Sequence, residues 1–272
     1  MISIIIPAKN EAGHLSGTLA YLRQHAPHCS AEIIVAEGGS ADVTADVARR
    51  WATVVHGHDS TRAALMNAGA RVARGDVLFF LHADSIPPPD FVTLIRTALA
   101  DPHAVGGAFD HQFSEPVFGL WVVSTIDRIR FRLTKNYYGD QGIFVRRAVF
   151  NQMRGFPDRA ILEDLEFSSR MKRFGRTVLI PRPVRTSGRR FLNGGITKTF
   201  LWIVWLLALY TLRIDTERYA ASYRKENDRR AARTSLPAGF IPGNALGPQK
   251  GDRALERVGD VLGLSRFCRK FR

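Results

Sequence analysis

The chain has 272 residues, of which 45% are hydrophobic and 24% are charged; this balance excludes a disordered chain and predicts a folded core. The formal net charge is +14, which predicts an acidic partner such as nucleotide phosphates, lipid phosphates or nucleic acid. The two cysteines, Cys29 and Cys268, lie far apart, which excludes a disulfide framework and fits a reducing cytoplasm.

Short apolar runs alternate with helical patterns through the first hundred residues. The β-branched and aromatic runs predict buried strands at 2–8, 32–37, 53–56 and 77–82. The segments between them predict helices at 14–25, 42–51, 61–73 and 90–99. This alternation is typical of a parallel sheet with right-handed crossovers.

Polar residues follow three of the predicted strands, at 7–11, 37–40 and 82–84. In open α/β sheets, ligands bind beyond the carboxyl ends of the strands. The coincidence of three polar clusters at three such ends is therefore the strongest indication of a ligand site.

The pattern becomes mixed after residue 104. Strands are predicted at 104–113, 142–147 and 177–181, and helices at 116–134 and 164–174. We interpret this part as a second half that completes the sheet and forms the acceptor side.

Residues 200–212 are apolar on every face, which indicates deep burial or contact with lipid. A helix of this length spans about 20 Å, short of the roughly 30 Å hydrocarbon layer of a bilayer. A full crossing would include Lys198 and Arg213. We therefore expect an interfacial helix; packing against the acceptor half or a dimer partner is the alternative.

The composition predicts three parts: a catalytic domain at 1–195 (donor half 1–100, acceptor half 101–195), an apolar helix at 196–224 and a basic, mobile tail at 225–272. Residues 255–272 have the pattern of a basic amphipathic helix. The sequence enters its first strand without a basic leader, so no signal peptide is predicted. We expect a cytoplasmic protein, peripheral on the inner face of the cell membrane.

Two carboxylates stand at predicted strand ends. Asp84 precedes three prolines, and a rigid carboxylate there suits Mg²⁺ or Mn²⁺, which prefer oxygen ligands; capping the helix that begins near Asp90 is the alternative. Glu37 would face a base or ribose, or favour the next helix through its charge. Asp42 is interpreted as a cap, and Gly38 and Gly39 permit close approach of a nucleotide.

An acidic pair, Glu163 and Asp164, begins a predicted helix, where a carboxylate is favoured by capping and by the helix dipole. A positioned carboxylate is also what removes a proton from an acceptor hydroxyl. Residues 169–198 carry nine basic side chains and no acid. Within that run, Arg189 and Arg190 are the candidates for clamping a diphosphate, and the others are interpreted as a solvated basic face.

Five ordered segments resemble the family 2 glycosyltransferases. They are PAKNE at 7–11, EIIVAEGGSADVT at 32–44, RAALMNAGARVARGDVLFFLHAD at 62–84, YGDQGIFVRRAVFNQMRGF at 138–156 and ILEDLEF at 161–167. The resemblance implies an inverting enzyme of the α/β, mostly parallel GT-A fold. The resemblance covers roughly residues 1–195. The chain is similar above all to a small subgroup of the family that is encoded beside radical-enzyme and selenium-associated genes. It is less similar to the membrane enzymes that glycosylate carotenoid or polyprenyl lipids.

The resemblance implies roles by position. Asp84 would bind the metal and the donor diphosphate, and Asp164 would be the general base. The donor side would comprise Pro7, Asn10, Glu11, Glu37, Gly39, Arg62, Asn67, Arg189 and Arg190, with Ser187 beside the two arginines. The acceptor side would comprise Asp140, Gln141, Gly142 and Glu163.

Two departures from the family pattern concern the metal and the base. His82-Ala83-Asp84 stands where many members have Asp-x-Asp, so His82 would be a weak ligand or a group behind the ligands. Glu37 replaces a commoner Asp, and its longer side chain would change base selectivity.

The sequence thus predicts transfer from a UDP- or GDP-sugar to a hydroxyl acceptor, for which a lipid is one candidate. A nucleotidyltransferase of similar fold is the first alternative, but it would need a Gly-rich basic loop, and Lys9 stands alone in 7–11. A non-enzymatic, basic membrane- or nucleic-acid-binding protein is the second. Because no nucleic-acid reader motif is recognised, no nucleic-acid partner is expected.

Overall fold

The computed structural model describes residues 1–27, 29–57 and 61–220. The predicted tail at 225–272, its terminal helix and the end of the predicted apolar segment lie outside the described residues. The strands are β1 (Ile2–Ala8), β2 (Ala31–Glu37), β3 (Thr53–His56), β4 (Val77–Phe80), β5 (Ser85–Ile86), β6 (Ala104–Phe113), β7 (Ile143–Arg146) and β8 (Arg176–Thr186).

Helices flank these strands. They are α1 (Ala12–His25), α2 (Thr44–Arg49), α3 (Arg62–Val72), α4 (Phe91–Ala98), α5 (Phe118–Thr134), α6 (Arg147–Gln152), α7 (Glu163–Met171), α8 (Arg189–Gly194) and α9 (Ile196–Thr211). Short 3-10 turns lie at Gly139–Gln141 and Glu217–Tyr219.

The eight described strands form one mixed sheet in the order β3-β2-β1-β4-β7-β6-β8-β5. Strands β3, β2, β1 and β4 are parallel, β7 is antiparallel to β4 and β6, and β6 and β8 are parallel. Ala8 pairs with Glu37, so β1 and β2 end at the same level. The predicted GT-A architecture, a mostly parallel mixed sheet flanked by helices, is confirmed.

Alternating side chains of the central strands enter two separate cores. Ile4 and Ile6 of β1 face the core that contains α1 and α4, whereas Ile5 faces the core that contains α3 and α7. Residues of β4 alternate in the same way, with Phe79 on the first side and Phe80 on the second. Burial on both faces explains why these strands are apolar at nearly every position.

Several predicted bounds were wrong. Strand β4 ends at Phe80, so His82 lies in the following loop instead of the strand. Helix α2 is limited to Thr44–Arg49, inside the predicted 42–51. Strand β8 spans 11 residues where only 177–181 was predicted. The sequence pattern failed there because Pro181 and Pro183 interrupt it, while pairing with β6 continues past a register shift.

Helix α9 lies within the predicted apolar segment. No helix in the described part of the chain is both long and apolar enough to cross a membrane. Leu206 is buried and packs in a small cluster with Ile161 and Ala220, whereas Leu201 and Leu212 are 60% and 70% exposed. One face of α9 is therefore held by the protein and another faces outward.

Phe79 is fully buried between Phe91 and Phe109, with ring centroids 5.6 and 5.7 Å away. We expect Phe79→Ala to lower the free energy of unfolding by about 3–5 kcal/mol, because the lost contacts leave a cavity in a packed core. Urea denaturation measures this change. Phe174→Ala is the matched control, since Phe174 is 42% exposed and should tolerate the change; equal losses in both variants would contradict the assignment of Phe79 to the core.

Candidate active site

The loops that follow β1 and β2 are joined by polar contacts. Asn10 has a left-handed backbone with φ of 56°, and its Oδ1 accepts a hydrogen bond from Ala41 N–H at 2.8 Å. Its own N–H donates to Ser40 Oγ at 2.9 Å, and Glu11 N–H donates to Thr44 Oγ1 at 2.8 Å. These bonds hold two predicted donor-pocket residues, Asn10 and Glu11, against the end of β2.

Glu37 is buried at the end of β2, and its carboxylate faces the loop after it. Ser40 N–H donates to Oε1 at 2.5 Å, and His56 Nδ1 lies 3.2 Å from Oε2. Burial by itself would raise the pKa of Glu37, but the hydrogen bonds from Ser40 and His56 outweigh it and hold that pKa below its usual value. Glu37 therefore orders this loop; its contact with a nucleotide base stays a prediction.

Asp84 and Glu11 share one arginine. Arg189 Nη2 lies 2.5 Å from Glu11 Oε1 and 3.4 Å from Asp84 Oδ2. Burial by itself would lower the pKa of Arg189, but the carboxylates of Asp84 and Glu11 raise it above its usual value. Asp84 and Arg189, which were predicted to act on the metal and the diphosphate, are thus brought together with Glu11, which was predicted to line the donor pocket.

One carboxylate oxygen of Glu11, Oε2, is buried and accepts no hydrogen bond from the described residues. Burial raises the pKa of Glu11 to about 7, which Arg189 opposes and the nearby Asp84 reinforces. A proton or a cation would satisfy this oxygen.

Mg²⁺ and Mn²⁺ prefer oxygen ligands, and Mg²⁺ commonly takes one or two carboxylates plus substrate phosphates. Among residues 1–27, 29–57 and 61–220, no group of three or more His, Cys, Asp or Glu side chains is arranged to hold a metal ion. Asp84 and Glu11 offer carboxylate oxygens of the kind that such a cation takes, and Asp84 as a metal ligand stays a prediction.

Asp164 lies in the first turn of α7, as predicted. Its Oδ2 accepts a hydrogen bond from Gly139 N–H at 2.7 Å and lies 3.5 Å from Arg62 Nη2. A side chain at position 139 would not fit, because a Cβ there would lie 2.7 Å from His82 Nε2 and 3.2 Å from Asp164 Oδ2. Gly139 thus lets the backbone reach the carboxylate directly.

Arg62, the first residue of α3, binds three groups of the site. Its Nε donates to Glu163 Oε1, its Nη1 donates to His82 Nε2 at 3.0 Å, and its Nη2 approaches Asp164. Since a guanidinium only donates, His82 Nε2 is the acceptor and its proton lies on Nδ1. Burial and the charge of Arg62 hold the pKa of His82 well below its usual value, so the ring is neutral.

His82 and Glu163 are both bound to Arg62. His82 Nε2 accepts from Arg62, so the lone pair of this nitrogen is already used. Glu163 is 1% exposed and is bound to Arg62, which leaves its carboxylate closed to an acceptor. Leu162 just before it has a φ of 59°, which costs a non-glycine residue roughly 1–2 kcal/mol and sets the direction in which α7 begins.

Gln141 and Gly142 lie under the site, away from any open surface. Gln141 is 2% exposed; its Oε1 accepts from Tyr138 N–H at 2.8 Å and its Nε2 donates to Phe109 O at 3.2 Å. Gly142 has a φ of 65°, and a Cβ there would lie 2.9 Å from the Phe79 ring. Both shape the turn that presents Gly139.

Asp140 is the member of the predicted acceptor turn whose carboxylate faces other polar groups. Its Oδ2 lies 3.7 Å from His111 Nε2. Burial raises the pKa of Asp140, His111 opposes the rise, and the nearby charge of Asp164 adds to it. Three buried polar atoms here have no hydrogen-bond partner among the described residues: Asp140 Oδ1, His111 Nε2 and Tyr138 Oη. They form a polar cluster next to Asp164.

The remaining predicted donor residues have varied positions. Pro7 is half-buried in β1, and Gly39 has a left-handed φ of 74° in the loop after β2. Asn67 ties α3 to the backbone of Phe156, accepting from its N–H at 2.9 Å and donating to its carbonyl at 3.0 Å. Arg190 is half-buried beside Arg189 in α8.

Glu115 is a functional neighbour that sequence reasoning missed. Its carboxylate accepts hydrogen bonds from Ser187 Oγ at 3.1 Å and from Gly188 N–H at 2.6 Å, so it fixes the turn that presents Arg189. The sequence held an indication of this contact. The basic run at 169–198 contains no acid, so its arginines need an acidic partner from elsewhere in the chain, and Glu115 lies just before the helix predicted at 116–134.

The loop 82–84 joins the two clusters, with His82 on the Asp164 side and Asp84 on the Arg189 side. A cavity of about 10 Å³ lies between Arg62, His82, Gly139 and Asp164, which is space for about one water molecule. Arg62 occupies the space beside Asp164, so a sugar would have to displace or flank it. A larger cavity of about 300 Å³ lies along α3 and is lined by Asn67 but by no other predicted site residue.

The fold and the site define a class. A GT-A sheet that presents acidic loops, a basic turn and a carboxylate at a helix start is the arrangement of a glycosyltransferase. Residues 3–162 match Glycosyl transferase family 2, and the chain belongs to this family.

Named relatives agree with this assignment. The chain is 30% identical over 223 residues to "PGL/p-HBAD biosynthesis glycosyltransferase" of Mycobacterium bovis (strain BCG / Pasteur 1173P2), covering 74% of this chain and 80% of the relative. It is 35% identical over 106 residues to "Succinoglycan biosynthesis protein ExoA" of Rhizobium meliloti (strain 1021), covering 36% of this chain. That match spans 32% of ExoA, and a match to Bacillus subtilis EpsH spans 30% of that protein, so the chain spans about a third of these two relatives.

Solved structures share the fold. The mannosyltransferase PcManGT of Pyrobaculum calidifontis, in complex with GDP-Man and Mn²⁺, has a TM-score of 0.56 at 18% identity over 99% of this chain and 82% of its own. Glucosyl-3-phosphoglycerate synthase of Mycobacterium tuberculosis, in complex with Mn²⁺ and UDP-Glc, has a TM-score of 0.56 at 18% identity over 79% of this chain and 80% of its own.

The raised pKa of Glu11 predicts a pH-dependent stability. The folded carboxyl titrates at about 7 and the unfolded one near 4.5, so folding favours the protonated form. Its contribution is complete below pH 4.5 and is lost as the pH rises to 7, a change on the order of 3 kcal/mol. We expect Glu11→Gln to gain stability relative to the wild type between pH 5 and pH 8 in urea denaturation; parallel pH profiles would contradict this.

Proposed function

We propose that this enzyme transfers a sugar from a nucleoside-diphosphate donor to a hydroxyl group, with inversion at the anomeric carbon. The observation that carries the proposal is the meeting of two arginine–carboxylate clusters at loop 82–84. One contains Asp84, Glu11 and Arg189, and the other contains Asp164 and Arg62.

Asp164 is the proposed general base. As the acceptor oxygen bonds to the anomeric carbon, its proton passes to the Asp164 carboxylate. The bond from the anomeric carbon to the diphosphate oxygen breaks, and the diphosphate leaves with the electron pair. A single displacement of this kind inverts the anomeric centre. Gly139 N–H and Arg62 fix Asp164 Oδ2, so that the carboxylate keeps one orientation during the transfer.

Arg189 is proposed to hold the departing diphosphate, with Arg190 beside it. Guanidinium groups bind phosphate oxygens in bidentate fashion and stabilise charge that develops on a leaving group. Arg189 is 23% exposed and is now paired with two carboxylates. Binding of the donor would exchange those partners for phosphate oxygens.

Asp84 and Glu11 are proposed to hold Mg²⁺ or Mn²⁺. The two carboxylates and the enclosed Oε2 of Glu11 offer oxygen atoms of the kind that these cations take. When bound, the cation supplies positive charge to the diphosphate. The Mn²⁺ complexes of the two solved neighbours support this part of the proposal.

Further observations support particular classes of donor, acceptor and membrane contact. The neighbours were solved with GDP-Man and UDP-Glc, which supports a GDP- or UDP-sugar as the donor. The enclosed polar atoms at Asp140 support a hydroxyl acceptor there, for which a lipid is one candidate. A peripheral position at a membrane is supported by the exposed side chains of α9; the cytoplasmic face is proposed from the sequence. The sequence resemblance supports membership of the radical-enzyme and selenium-associated subgroup.

We expect Asp164→Asn to lower turnover by a factor on the order of 10²–10⁴ while donor binding is retained, because the amide keeps the shape but accepts no proton. Release of nucleoside diphosphate measures turnover, after a screen of UDP-, GDP- and TDP-sugars with Mn²⁺ and Mg²⁺ has identified the donor. Asp101→Asn is the matched control, since Asp101 pairs with Arg176 at the amino end of β8. Unchanged turnover in Asp164→Asn would remove this residue from the role.

We expect EDTA to abolish donor binding, because Arg189 alone would then face a diphosphate beside two carboxylates. Titration calorimetry with the donor from the same screen measures the affinity before and after chelation, and restoring Mn²⁺ should restore it. Affinity that is unchanged in excess EDTA would rule out a metal between Asp84 and the diphosphate.

A further inference from the structure

Helix α5 exposes an apolar face. Phe118, Trp121, Ile129 and Leu133 are 77%, 52%, 52% and 81% exposed, and Ile126 is 41% exposed. At about 3.6 residues per turn, these positions fall on one broad side of the helix. Phe131, on the opposite side, is buried in the core. The usual arrangement of apolar side chains facing inward is thus reversed along most of this helix.

Helix α9 exposes a second apolar face. Leu201, Val204, Trp205 and Leu212 are 60%, 44%, 39% and 70% exposed, again at spacings of three, four or seven residues. Trp202 and Trp205 stack at 4.9 Å between ring centroids, which holds the two indoles together at this face.

The two faces adjoin. Gly119 of α5 contacts Ile196 of α9 so closely that a Cβ on Gly119 would lie 2.8 Å from Ile196 Cδ1. Leu120 packs in the same way on Gly188, next to the Arg189 turn. Isolated exposed apolar residues need no explanation, but an adjoining pair of helix faces indicates an interaction surface.

Exposed cations border these faces. Arg132 and Lys135 lie at the end of α5, and Lys198 and Arg213 lie at the two ends of α9. Helix α9 has no acid, and the one acid of α5, Asp127, is turned inward and paired with Arg130 at 2.8 Å. After α9, Glu217 binds Arg159, which offsets its charge. Asp215 accepts from the Glu217 N–H and is exposed, so it counts as one acid against the four cations of the border.

We propose that α5 and α9 together form a docking surface for an anionic lipid bilayer. The surface comprises Phe118, Trp121, Ile126, Ile129, Leu133, Leu201, Val204, Trp205 and Leu212, with Arg132, Lys135, Lys198 and Arg213 at its border. Tryptophan, apolar side chains and cations together suit the headgroup boundary of such a bilayer. A second copy of the chain would bring the same cations against each other, which disfavours self-association through this surface.

Vesicle co-sedimentation of the full chain tests the surface. The variant Phe118→Ser/Trp121→Ser should bind vesicles of phosphatidylcholine and phosphatidylglycerol on the order of tenfold more weakly for each side chain lost. Phe174→Ser is the matched control, because Phe174 is an aromatic residue that is 42% exposed but lies before β8, at the far end of that strand from Arg189. It should bind as the wild type does. Residues 221–272 are identical in all three proteins, so their contribution cancels.

Tryptophan fluorescence tests whether α5 touches lipid. The sequence has four tryptophans, of which Trp51 lies away from this surface. The variant Trp51→Phe/Trp202→Phe/Trp205→Phe retains Trp121 alone, and brominated phosphatidylcholine in the anionic vesicles should quench its emission. A variant that retains Trp51 alone should not be quenched.

Three results would overturn the proposal: equal vesicle binding by Phe118→Ser/Trp121→Ser and the control, an unquenched Trp121 in vesicle-bound protein, or a stable dimer in sedimentation equilibrium that Phe118→Ser/Trp121→Ser abolishes. Donor binding by the same variants, measured in solution, should stay unchanged. Their loss of vesicle binding is therefore separable from any failure of the proposed sugar transfer.

Discussion

The site depends on keeping several carboxylates of like charge at one edge of the sheet. Parallel pairing of β1 with β2 and with β4 ends these strands at the same edge, so the loops that carry Glu11 and Asp84 must be neighbours. Like charges this close repel, and buried carboxylates without partners are unfavourable. The fold meets this constraint with arginines supplied from the start of α3 and the start of α8, far away in sequence.

Each of these arginines contacts at least two acidic side chains: Arg189 those of Glu11 and Asp84, and Arg62 those of Glu163 and Asp164. Two arginines thus stand against four carboxylates, so without a ligand the site has more acidic than basic side chains. A donor diphosphate with a cation has complementary charges, and it would exchange partners with the same groups. The small cavity beside Asp164 agrees with a site that is filled by its own side chains and opens when those partners are exchanged.

A second constraint acts on the outer surface. An exposed apolar helix face is unfavourable in water, and α5 and α9 present two such faces side by side. Both helices follow strands β6 and β8 at the ends that lead into the candidate site. The turn bearing Arg189 therefore lies between the catalytic loops and the surface that we propose for lipid.

The sequence by itself determined the strand and helix order through residue 113 except for the two-residue strand β5, because buried parallel strands leave continuous apolar runs and polar residues at their ends mark the ligand edge. It also placed Asp84, Asp164 and Arg189 in a common catalytic segment through their motifs. Only the tertiary structure decided which groups these side chains contact. Glu37 accepts a hydrogen bond from the loop that follows it, Gln141 is buried and bonded to the backbone, and His82 is bound to Arg62. Contacts between residues a hundred positions apart carry no local pattern, so sequence periodicity cannot show them. The outward apolar face of α5 was hidden for the same reason, since periodicity reveals that a helix has two faces but not which of them the rest of the chain covers.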